Sequence, residues 1–403
     1  RRVRNRCRSK KSGLKKRLLP GNVFSGMGMY YLGPVDGHDI GKLETVIRWA
    51  RELRKPVLVH VVTKKGKGYK YAEEHPEKFH GVGRFDIETG ELHDSGDCFS
   101  AKMGESLSRL ADNDGRIIGI TAAMSSGTGM DVFSAAHPDR FFDVGIAEGH
   151  AVSMAGGMAK QGMVPVFAVY SSFLQRGYDM LIHDVALQNL HVVFCVDRAG
   201  LVGSDGETHH GVFDVSYLSS VPDMTVLCPA SYAELETMLR AAIYDINGSV
   251  AIRYPRGGEG KYTACNTAPE TLLREGRDVT LVCYGIMTNE VLDAAERLAA
   301  GGISAEVIKL SMIKPPDFDL VMRSLRKTGK LLISEDVCEA GCVGSRILEE
   351  AAINEIHVRA AKLLNLGEGI VPHGTVAELL HDFGLDADGI VSAAMEMMDK
   401  DLK

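Results

Sequence analysis

Short apolar runs alternate along the chain with longer amphipathic segments, and this alternation predicts an α/β fold. From residue 99 the order is regular, because a helix over about residues 99–112 is followed by the apolar run IIGITA at 117–122. Further strands are predicted at PVFAVY (165–170), HVVFCVD (191–197), TVLCPAS (225–231) and SVAIRYPRGG (249–258). Strands separated by helices favour parallel sheets covered by helices on both faces.

The chain before this regular part contains too few elements for a domain. KLETVIRWARELRK at 42–55 repeats apolar residues with helical spacing, and PVLVHVVT at 56–63 is a run typical of a buried strand. One helix and one strand are not stable on their own. We therefore interpret residues 1–84 as the remnant of a larger domain.

Two polar, turn-rich stretches predict linkers at 85–98 and 259–276. The βα alternation between them predicts a domain at 99–258. The same alternation on a smaller scale predicts a third domain at 277–403, with helices expected near 289–300, 318–326, 344–363 and 376–383.

Composition excludes several classes of protein. The 403 residues are 45% hydrophobic and 25% charged, which is typical of a globular protein with two or three domains. The net charge of −7 argues against a nucleic-acid or membrane surface. No apolar run approaches membrane-spanning length, and no secretory signal is visible. We predict neither a nucleic-acid partner nor a membrane partner.

The eight cysteines indicate a reducing compartment. They form no CxxC pair, and Cys195, Cys228 and Cys283 lie in apolar strand-like runs, as buried thiols do. Cys338 and Cys342 are only four residues apart, but the lack of a second close pair argues against a zinc site. We expect a compartment of the cytosolic type.

The first 17 residues, RRVRNRCRSKKSGLKKR, are densely basic and contain no acid. Such a block is typical of a solvated or disordered arm. Nucleic-acid binding is the alternative, but no interleaved aromatic residues support it. The chain starts with Arg rather than Met, so we expect it to be part of something longer.

Glu148 is the candidate around which the site is organised. In FFDVGIAEGHAV (141–152), the apolar run at 144–147 predicts a strand that delivers this acid to the start of a helix of small residues. In an open α/β sheet, such strand ends face the crevice where ligands bind. The alternative is a structural carboxylate that stabilises the helix start.

Four loop clusters follow predicted strands and would meet at the carboxyl edge of the central sheet. Together they supply an acid, histidines, aromatic rings and arginines, a set that suits proton transfer on an anionic substrate. Each residue alone also fits a surface or core role, and the convergence favours function. The clusters are Glu148 with His150; Tyr170, Phe173 and Arg176; Arg198, Asp205, His209 and His210; and Arg253 with Arg256.

The motifs DVGIAEGHAV, YSSFLQRGYDM, DRAGLVGSDGETHHGVFD and RYPRG, in this order, resemble the 1-deoxy-D-xylulose-5-phosphate synthase family. YLGPVDGHD, TKKGKGY and KFHGVGRFD resemble the end of that family's first domain. The resemblance covers residues 11–403 and implies serial doubly wound parallel-sheet domains of the transketolase type. These would be a pyrophosphate-binding remnant (1–84), a pyrimidine-binding domain (99–258) and a transketolase C-terminal domain (277–403).

The resemblance also implies roles for residues around thiamine diphosphate. Glu148 would engage the pyrimidine N1′ of the coenzyme, and Phe173 would stack on its ring. Tyr69 would lie beside the coenzyme. His80 would serve in proton transfer, a task that suits a residue titrating near neutrality.

The implied reaction condenses pyruvate with D-glyceraldehyde 3-phosphate to 1-deoxy-D-xylulose 5-phosphate and releases carbon dioxide, supplying isoprenoid, thiamine and pyridoxal synthesis. Arg198 and Arg256 would bind the phosphate, since a guanidinium can bind it bidentately, with Tyr170 as a further donor. The resemblance places Arg176, Asp205 and His209 around the pyruvate-derived unit, with Asp205 and His209 as catalytic residues. A homodimer is implied.

One departure from the family pattern leaves the activity of this chain open. Family members hold Mg²⁺ and the diphosphate through a first-domain GDG motif and a later Asn, and no GDG occurs here. VDGHD (35–39) lies downstream of where that motif belongs, so we assign no metal ligand to this chain. Three hypotheses remain: the synthase reaction in a completed enzyme, another ketol transfer such as that of transketolase, and an inert or partner-dependent half.

Overall fold

The computed structural model describes residues 22–76, 78–80, 82–92 and 96–399. The chain divides into two compact units, Arg1–Asp94 and Ser95–Lys403. The basic arm at residues 1–17 lies outside the described residues.

The first unit is built around two parallel strands joined by a helix. Asp39 caps that helix, because its side chain accepts a hydrogen bond from the backbone N–H of Lys42. No residue of the helix is buried. The elements are α1 (Val23–Gly26), β1 (Tyr30–Asp36), α2 (Ile40–Glu52), β2 (Val57–Val62) and α3 (Lys70–Glu74).

The second unit contains two sheets in series. Its first half comprises α4 (Phe99–Ala111), β3 (Ile117–Thr121), α5 (Met130–Ala136), β4 (Phe141–Asp143), α6 (Glu148–Lys160), β5 (Val164–Tyr170), α7 (Ser171–Leu174), α8 (Tyr178–Met180), β6 (Val193–Asp197), α9 (Asp214–Ser220), β7 (Thr225–Leu227), α10 (Tyr232–Tyr244) and β8 (Val250–Arg253). Its second half comprises β9 (Glu270–Arg274), β10 (Val279–Tyr284), α11 (Thr288–Ala300), β11 (Ala305–Leu310), β12 (Met312–Lys314), α12 (Asp319–Thr328), β13 (Lys330–Ser334), α13 (Val343–Ile353), β14 (Ala360–Leu364), α14 (Val376–Asp382) and α15 (Ala387–Asp399).

The two sheets have the order β12-β7-β8-β6-β5-β3-β4 and β14-β13-β10-β11-β9. All neighbouring strands are parallel except at one edge of each sheet, where β12 and β9 run antiparallel. The predicted α/β fold with serial parallel sheets is confirmed. Central strands such as β6 and β10 are buried along their whole length, which explains why they read as continuous apolar runs.

One hydrophobic core joins the two halves of the second unit. It contains Phe167 and Phe194 from the seven-stranded sheet and Val282, Ile308 and Ile333 from the five-stranded sheet. Strand β12 adds a second link, because it follows β11 in the chain yet pairs with β7 of the other sheet. The strands that carry the candidate site are therefore held against the second half of the unit.

A buried ion pair also connects the two halves. Glu234 on α10 and Lys309 on β11 are both fully buried, and Lys309 Nζ lies 3.0 Å from Glu234 Oε1. The connecting segment completes the network, since the Tyr262 hydroxyl and the Asn266 backbone N–H both donate to Glu234 Oε1, at 2.9 and 3.1 Å. Lys309 in turn donates to the Asn266 carbonyl oxygen at 3.0 Å.

Three local predictions were wrong. Residues 144–147 form a turn and not a strand, because β4 ends at Asp143 and its side chain accepts the Gly145 N–H at 2.9 Å. The helix predicted near 344–363 ends at Ile353, and 360–364 form β14 beside β13. Residues 270–274, expected in a linker, form β9 at a sheet edge.

Among the described ranges, no helix combines the length and apolar character that crossing a bilayer requires.

Candidate functional site

Glu148 is the first residue of α6, and its side chain is only 3% exposed. The start of a helix favours negative charge. Arg176 Nη1 lies 2.5 Å from Glu148 Oε1 and pairs with it directly. Any ligand that hydrogen-bonds Glu148 therefore has to compete with Arg176.

Aromatic rings continue the site away from Glu148. The Arg176 guanidinium lies over the half-buried Phe173 ring, 4.8 Å from its centroid. The Phe173 ring is 5.2 Å from His209 and 5.6 Å from Tyr170, centroid to centroid. Strand β5 ends at Tyr170, so the turn after it presents Tyr170, Phe173 and Arg176 on one side.

Arg198 follows β6 and is held in a strained backbone conformation. Its φ of +59° lies in the left-handed region, which side chains other than glycine rarely adopt. The Arg198 guanidinium carbon lies 3.8 Å from the centroid of the Tyr170 ring. Its Nη1 donates to the Gly127 carbonyl oxygen at 2.7 Å. The strain and these contacts together fix the direction of the Arg198 side chain.

Asp205 is shared by two arginines. Its Oδ2 lies 3.3 Å from Arg198 Nε and 3.1 Å from Arg256 Nε. Arg256 also donates to the Val202 carbonyl oxygen at 3.1 Å and to the Ser204 hydroxyl at 2.9 Å. Two guanidinium groups thus converge on one carboxylate, and a guanidinium is the side-chain group that can bind phosphate bidentately.

The Tyr170 ring lies against Arg198 and carries a hydroxyl that can donate a hydrogen bond. Burial raises the pKa of Tyr170 above its ordinary value, partly against the effect of the nearby Arg198 charge. The phenol therefore stays protonated at neutral pH. It lies within the same cluster as Arg198 and can donate to an anion that the arginines bind.

Asp197 belongs to the site, and the sequence-based reasoning missed it. It is the last residue of β6, is fully buried, and its Oδ1 lies 3.1 Å from Arg198 Nη1. Burial raises the pKa of Asp197 to about 6, although Arg198 acts in the opposite direction. The signal was present in the sequence, because Asp197 directly precedes Arg198 in the strand-end motif DRAG.

Gly127 was also missed, and it is required for close packing under Tyr170. A Cβ atom at this position would lie 1.8 Å from the Tyr170 hydroxyl oxygen. Its carbonyl is the one that accepts from Arg198. No pattern of apolar and polar residues reports such a close approach, so only the tertiary structure reveals it.

Replacing Gly127 with alanine should destabilise the chain by about 1–3 kcal/mol, because the added methyl group overlaps the Tyr170 hydroxyl. Denaturant unfolding of the full chain measures the change. Gly157→Ala is the matched control, since a Cβ there has no atom within 4 Å and alanine favours the helix by up to about 1 kcal/mol. Equal stability of the Gly127→Ala variant and the parent would contradict the packing described here.

Three members of the predicted clusters take no part in the contacts given above for the described residues. His150 is exposed. Arg253 is buried elsewhere, because its Nε lies 2.9 Å from Asp214 and its Nη2 lies 3.6 Å from Asp336. His210 is buried between two loops and contacts neither arginine of the Asp205 cluster. The predicted convergence therefore needs correction at Arg253.

Tyr69 and His80 belong to the first unit. The Tyr69 hydroxyl donates to the Ile87 carbonyl oxygen at 3.0 Å, and its ring lies 5.5 Å from Phe79 and 5.7 Å from Phe85. His80 is exposed. Within the described residues of both units, no group of three or more His, Cys, Asp or Glu side chains is arranged to hold a metal ion.

Three family models match the chain. Residues 99–258 match the transketolase pyrimidine-binding domain, and residues 270–390 match the transketolase C-terminal domain. Residues 1–63 match the model described as 1-deoxy-D-xylulose-5-phosphate synthase.

Curated relatives carry the same description. The 1-deoxy-D-xylulose-5-phosphate synthase of Heliobacterium modesticaldum is 45% identical over 399 residues, which are 97% of this chain and 61% of the relative. That of Clostridium acetobutylicum is 44% identical and aligns with 96% of this chain and 64% of the relative. The chain thus spans 61–64% of the length of these two relatives.

Two solved structures share the fold. One, titled a split gene transketolase, inactive beta4 tetramer, has a TM-score of 0.68 and 29% identity, and the match covers 75% of this chain and 98% of that one. Transketolase from Leishmania mexicana has a TM-score of 0.61 and 16% identity, with 75% and 45% covered. The second likeness concerns the fold alone.

Proposed function

Because the chain belongs to the 1-deoxy-D-xylulose-5-phosphate synthase family of the transketolase superfamily, we propose that it forms the pyrimidine-binding and C-terminal portion of such a transferase. The reaction is the thiamine-diphosphate-dependent condensation of pyruvate with D-glyceraldehyde 3-phosphate to 1-deoxy-D-xylulose 5-phosphate, with loss of carbon dioxide. A full site needs a diphosphate and Mg²⁺ anchor, and the described residues offer no metal-binding group.

One observation carries the proposal: a continuous row of side chains links a buried carboxyl to a pair of arginines. The row starts at Glu148 and passes through Arg176, Phe173, His209 and Tyr170, with neighbouring rings 5.2–6.4 Å apart. It ends at Arg198 and Arg256 around Asp205. A coenzyme ring at one end and a phosphate at the other fit this distribution of charge.

The Glu148 end fits the aminopyrimidine of thiamine diphosphate. When bound, the coenzyme supplies a nucleophilic carbon and an electron sink for decarboxylation. Glu148 would hydrogen-bond the ring nitrogen N1′ from its buried position at the start of α6, in competition with Arg176. Phe173 offers a half-buried aromatic face for the flat ring. Tyr69 and His80 are assigned to the same coenzyme on the family resemblance alone.

The arginine end fits the phosphate of D-glyceraldehyde 3-phosphate. Arg198 and Arg256 would bind the phosphate oxygens, and the protonated Tyr170 would donate a further hydrogen bond. Asp205 restrains both guanidinium groups and so pre-orders them. His209 lies between this cluster and Phe173, where an imidazole can move a proton at the reacting carbons.

The domain division at 1–84, 99–258 and 277–403 is part of the proposal. The ranges of the matching family models support it, and so does α2, which carries the exposed apolar residues Ile47 and Trp49. Such residues are expected to be covered in a larger domain. We propose a homodimer, supported by Phe142 and Ile146, which are exposed beside Glu148. The free cysteines support a cytoplasmic or stromal location.

Pyruvate-dependent release of carbon dioxide tests the reaction. The chain should form 1-deoxy-D-xylulose 5-phosphate when it is joined to, or mixed with, the upstream segment of a relative such as the Heliobacterium modesticaldum enzyme. Pyruvate and glyceraldehyde 3-phosphate should both be required. Turnover of a ketose phosphate donor without pyruvate and without carbon dioxide would contradict the proposal and favour a transketolase reaction.

An inert or partner-dependent portion is the second candidate for the chain by itself. The lack of a metal-binding group among the described residues favours it, as does the length relative to the curated relatives. The split gene transketolase has a title that calls its tetramer inactive, and 98% of that protein's length matches this chain. Calorimetry of this chain with thiamine diphosphate and Mg²⁺ is expected to give no tight binding, and tight binding would refute this candidate.

A further inference from the structure

His210 connects two loops of the second unit and is itself 4% exposed. Its Nδ1 accepts the backbone N–H of Val202 at 3.2 Å, and its Nε2 lies 3.2 Å from the Pro372 carbonyl oxygen. A backbone N–H can only donate and a carbonyl can only accept. These two partners therefore assign the ring as neutral, with its proton on Nε2.

His210 contacts the loop at residues 202–205. This loop also supplies acceptors to Arg198 and Arg256, the two arginines proposed to bind phosphate. The N–H of Val202 binds His210, and its carbonyl oxygen accepts from Arg256 at 3.1 Å. Two residues further along, Ser204 accepts from the same guanidinium at 2.9 Å. Asp205 follows and pairs with both arginines. His210 touches neither arginine, so any influence on them passes through this loop.

The other end of the contact lies in the second half of the unit. Pro372 precedes α14, and the neighbouring His373 lies against the turn at Gly206, since a Cβ at Gly206 would be 3.3 Å from His373 Cδ2. Residues 202–206 are thus in contact both with His210 and with this segment. Asp205 lies in this loop, three residues after Val202. A displacement of the segment at Pro372 would therefore also displace Asp205.

We propose that His210 is a positioning residue: by tying residues 202–205 to the segment at Pro372, it orients Arg198 and Arg256 toward an anionic ligand. The proposal rests on the phosphate role given to these arginines. It assigns no contact between His210 and the ligand or the coenzyme.

Protonation of His210 breaks its hydrogen bond with the Val202 N–H, and with it the link between residues 202–205 and the segment at Pro372. With protons on both ring nitrogens, Nδ1–H faces the Val202 N–H, and two donors oppose each other. Burial lowers the pKa of His210 below its ordinary value of 6.5; among its charged neighbours, His373 acts in the same direction, whereas Glu207 and Asp205 raise it. The pKa of His210 is lower in the folded chain than its ordinary value. The two hydrogen bonds of the neutral ring are therefore fully formed above the ordinary pKa, and they are lost as pH falls through the lowered pKa.

Two variants separate positioning from simple packing. His210→Gln can accept from Val202 through its amide oxygen and donate to Pro372 through its amide nitrogen, and it does not titrate in this range. His210→Phe fills similar space but leaves both backbone groups without a partner. Calorimetric titration of the full chain with glycerol 3-phosphate measures the consequence for an anionic ligand.

At about pH 8, the parent and His210→Gln should bind glycerol 3-phosphate within about twofold of each other, and His210→Phe about tenfold more weakly. Once the pH has fallen below the lowered pKa of His210, the parent should bind as weakly as His210→Phe, while His210→Gln keeps its advantage. Phosphate itself takes up a proton near pH 6. The binding constants for glycerol 3-phosphate are therefore compared as the ratio of the parent to His210→Gln at each pH. A ratio that does not change with pH overturns the proposal, even where His210→Phe does not fold.

A second measurement separates this proposal from the proposed function. Hydrogen exchange of the Val202 amide and ¹⁵N spectra of the His210 imidazole should show a protected amide and a neutral ring protonated at Nε2 above about pH 6.5. On acidification Nδ1 should also gain a proton and the Val202 amide of the parent should lose its protection, whereas the Val202 amide of His210→Gln should keep it. An unprotected Val202 amide at high pH overturns the tie. The Val202 amide could instead be protected as expected while neither the parent nor any variant binds glycerol 3-phosphate. That result overturns the phosphate role of the arginines, and with it the positioning role assigned to His210.

Discussion

Replacing Lys309 with methionine should lower the free energy of unfolding of the chain by about 3–5 kcal/mol. Lys309 and Glu234 are both fully buried and lie 3.0 Å apart. Methionine fills much of the lysine volume, so the loss is mainly electrostatic: Glu234 remains buried without its counter-charge. The same substitution removes the hydrogen bond from Lys309 to the Asn266 carbonyl oxygen.

Denaturant unfolding of the full chain measures this effect, and Lys261→Met is its control. Lys261 is 90% exposed and lies 3.9 Å from Asp293, so its substitution should change stability by at most about 0.5 kcal/mol. The double variant Lys309→Met with Glu234→Leu should recover part of the loss, because no buried charge remains. Similar stabilities of Lys309→Met and Lys261→Met would contradict the assigned role of the ion pair.

Replacing Glu148 with alanine should reduce kcat by about 10²–10⁴-fold in an enzyme completed with the upstream segment of a relative. The buried carboxyl at the start of α6 is the group proposed to hold N1′ of the coenzyme, and alanine offers neither acceptor nor proton. Arg176 would also lose its partner at 2.5 Å. The rate of 1-deoxy-D-xylulose 5-phosphate formation under saturating substrates gives the change in kcat.

Two further variants make the Glu148 result specific. Glu148→Gln keeps a hydrogen-bonding group of the same size but replaces the carboxyl with an amide, so it should also lose most of the rate. Glu368→Ala changes an exposed glutamate of the second half and should leave the rate unaltered. Undiminished turnover of Glu148→Ala would refute the role given to this residue.

The regular part of the fold was predictable because buried parallel strands read as apolar runs. Strands β3, β5 and β6 were found in this way, and their order in the chain with intervening helices predicted a parallel sheet. The edge elements were not found. Strand β9 has the sequence ETLLR and is only partly buried, so it resembles a linker. Strand β14 was absorbed into a predicted helix, because its short run AAKLL also fits helical spacing.

Much of the candidate site was also predictable, because its residues cluster in motifs that follow strands. Glu148, Tyr170, Phe173, Arg198 and Arg256 were all proposed from such positions. The contacts that could not be predicted involve backbone atoms or a close approach of two residues. They are the hydrogen bond from Arg198 to the Gly127 carbonyl oxygen and the hydrogen bond from the Val202 N–H to His210. Neither contact depends on the side chain of the residue that supplies the backbone atom.

The sequence alone determined the fold class and the family, since both depend on local patterns and on motifs of adjacent residues. Tertiary structure decided which charged groups meet. Arg253 and Arg256 are three residues apart in RYPRG and equally suited to a phosphate, yet Arg253 turns to the buried Asp214 and Arg256 to Asp205. Burial of a guanidinium is costly unless the charge is paired, and the carboxylate that pairs with each of these arginines comes from a distant point in the chain. Distances between such points exist only in the folded molecule.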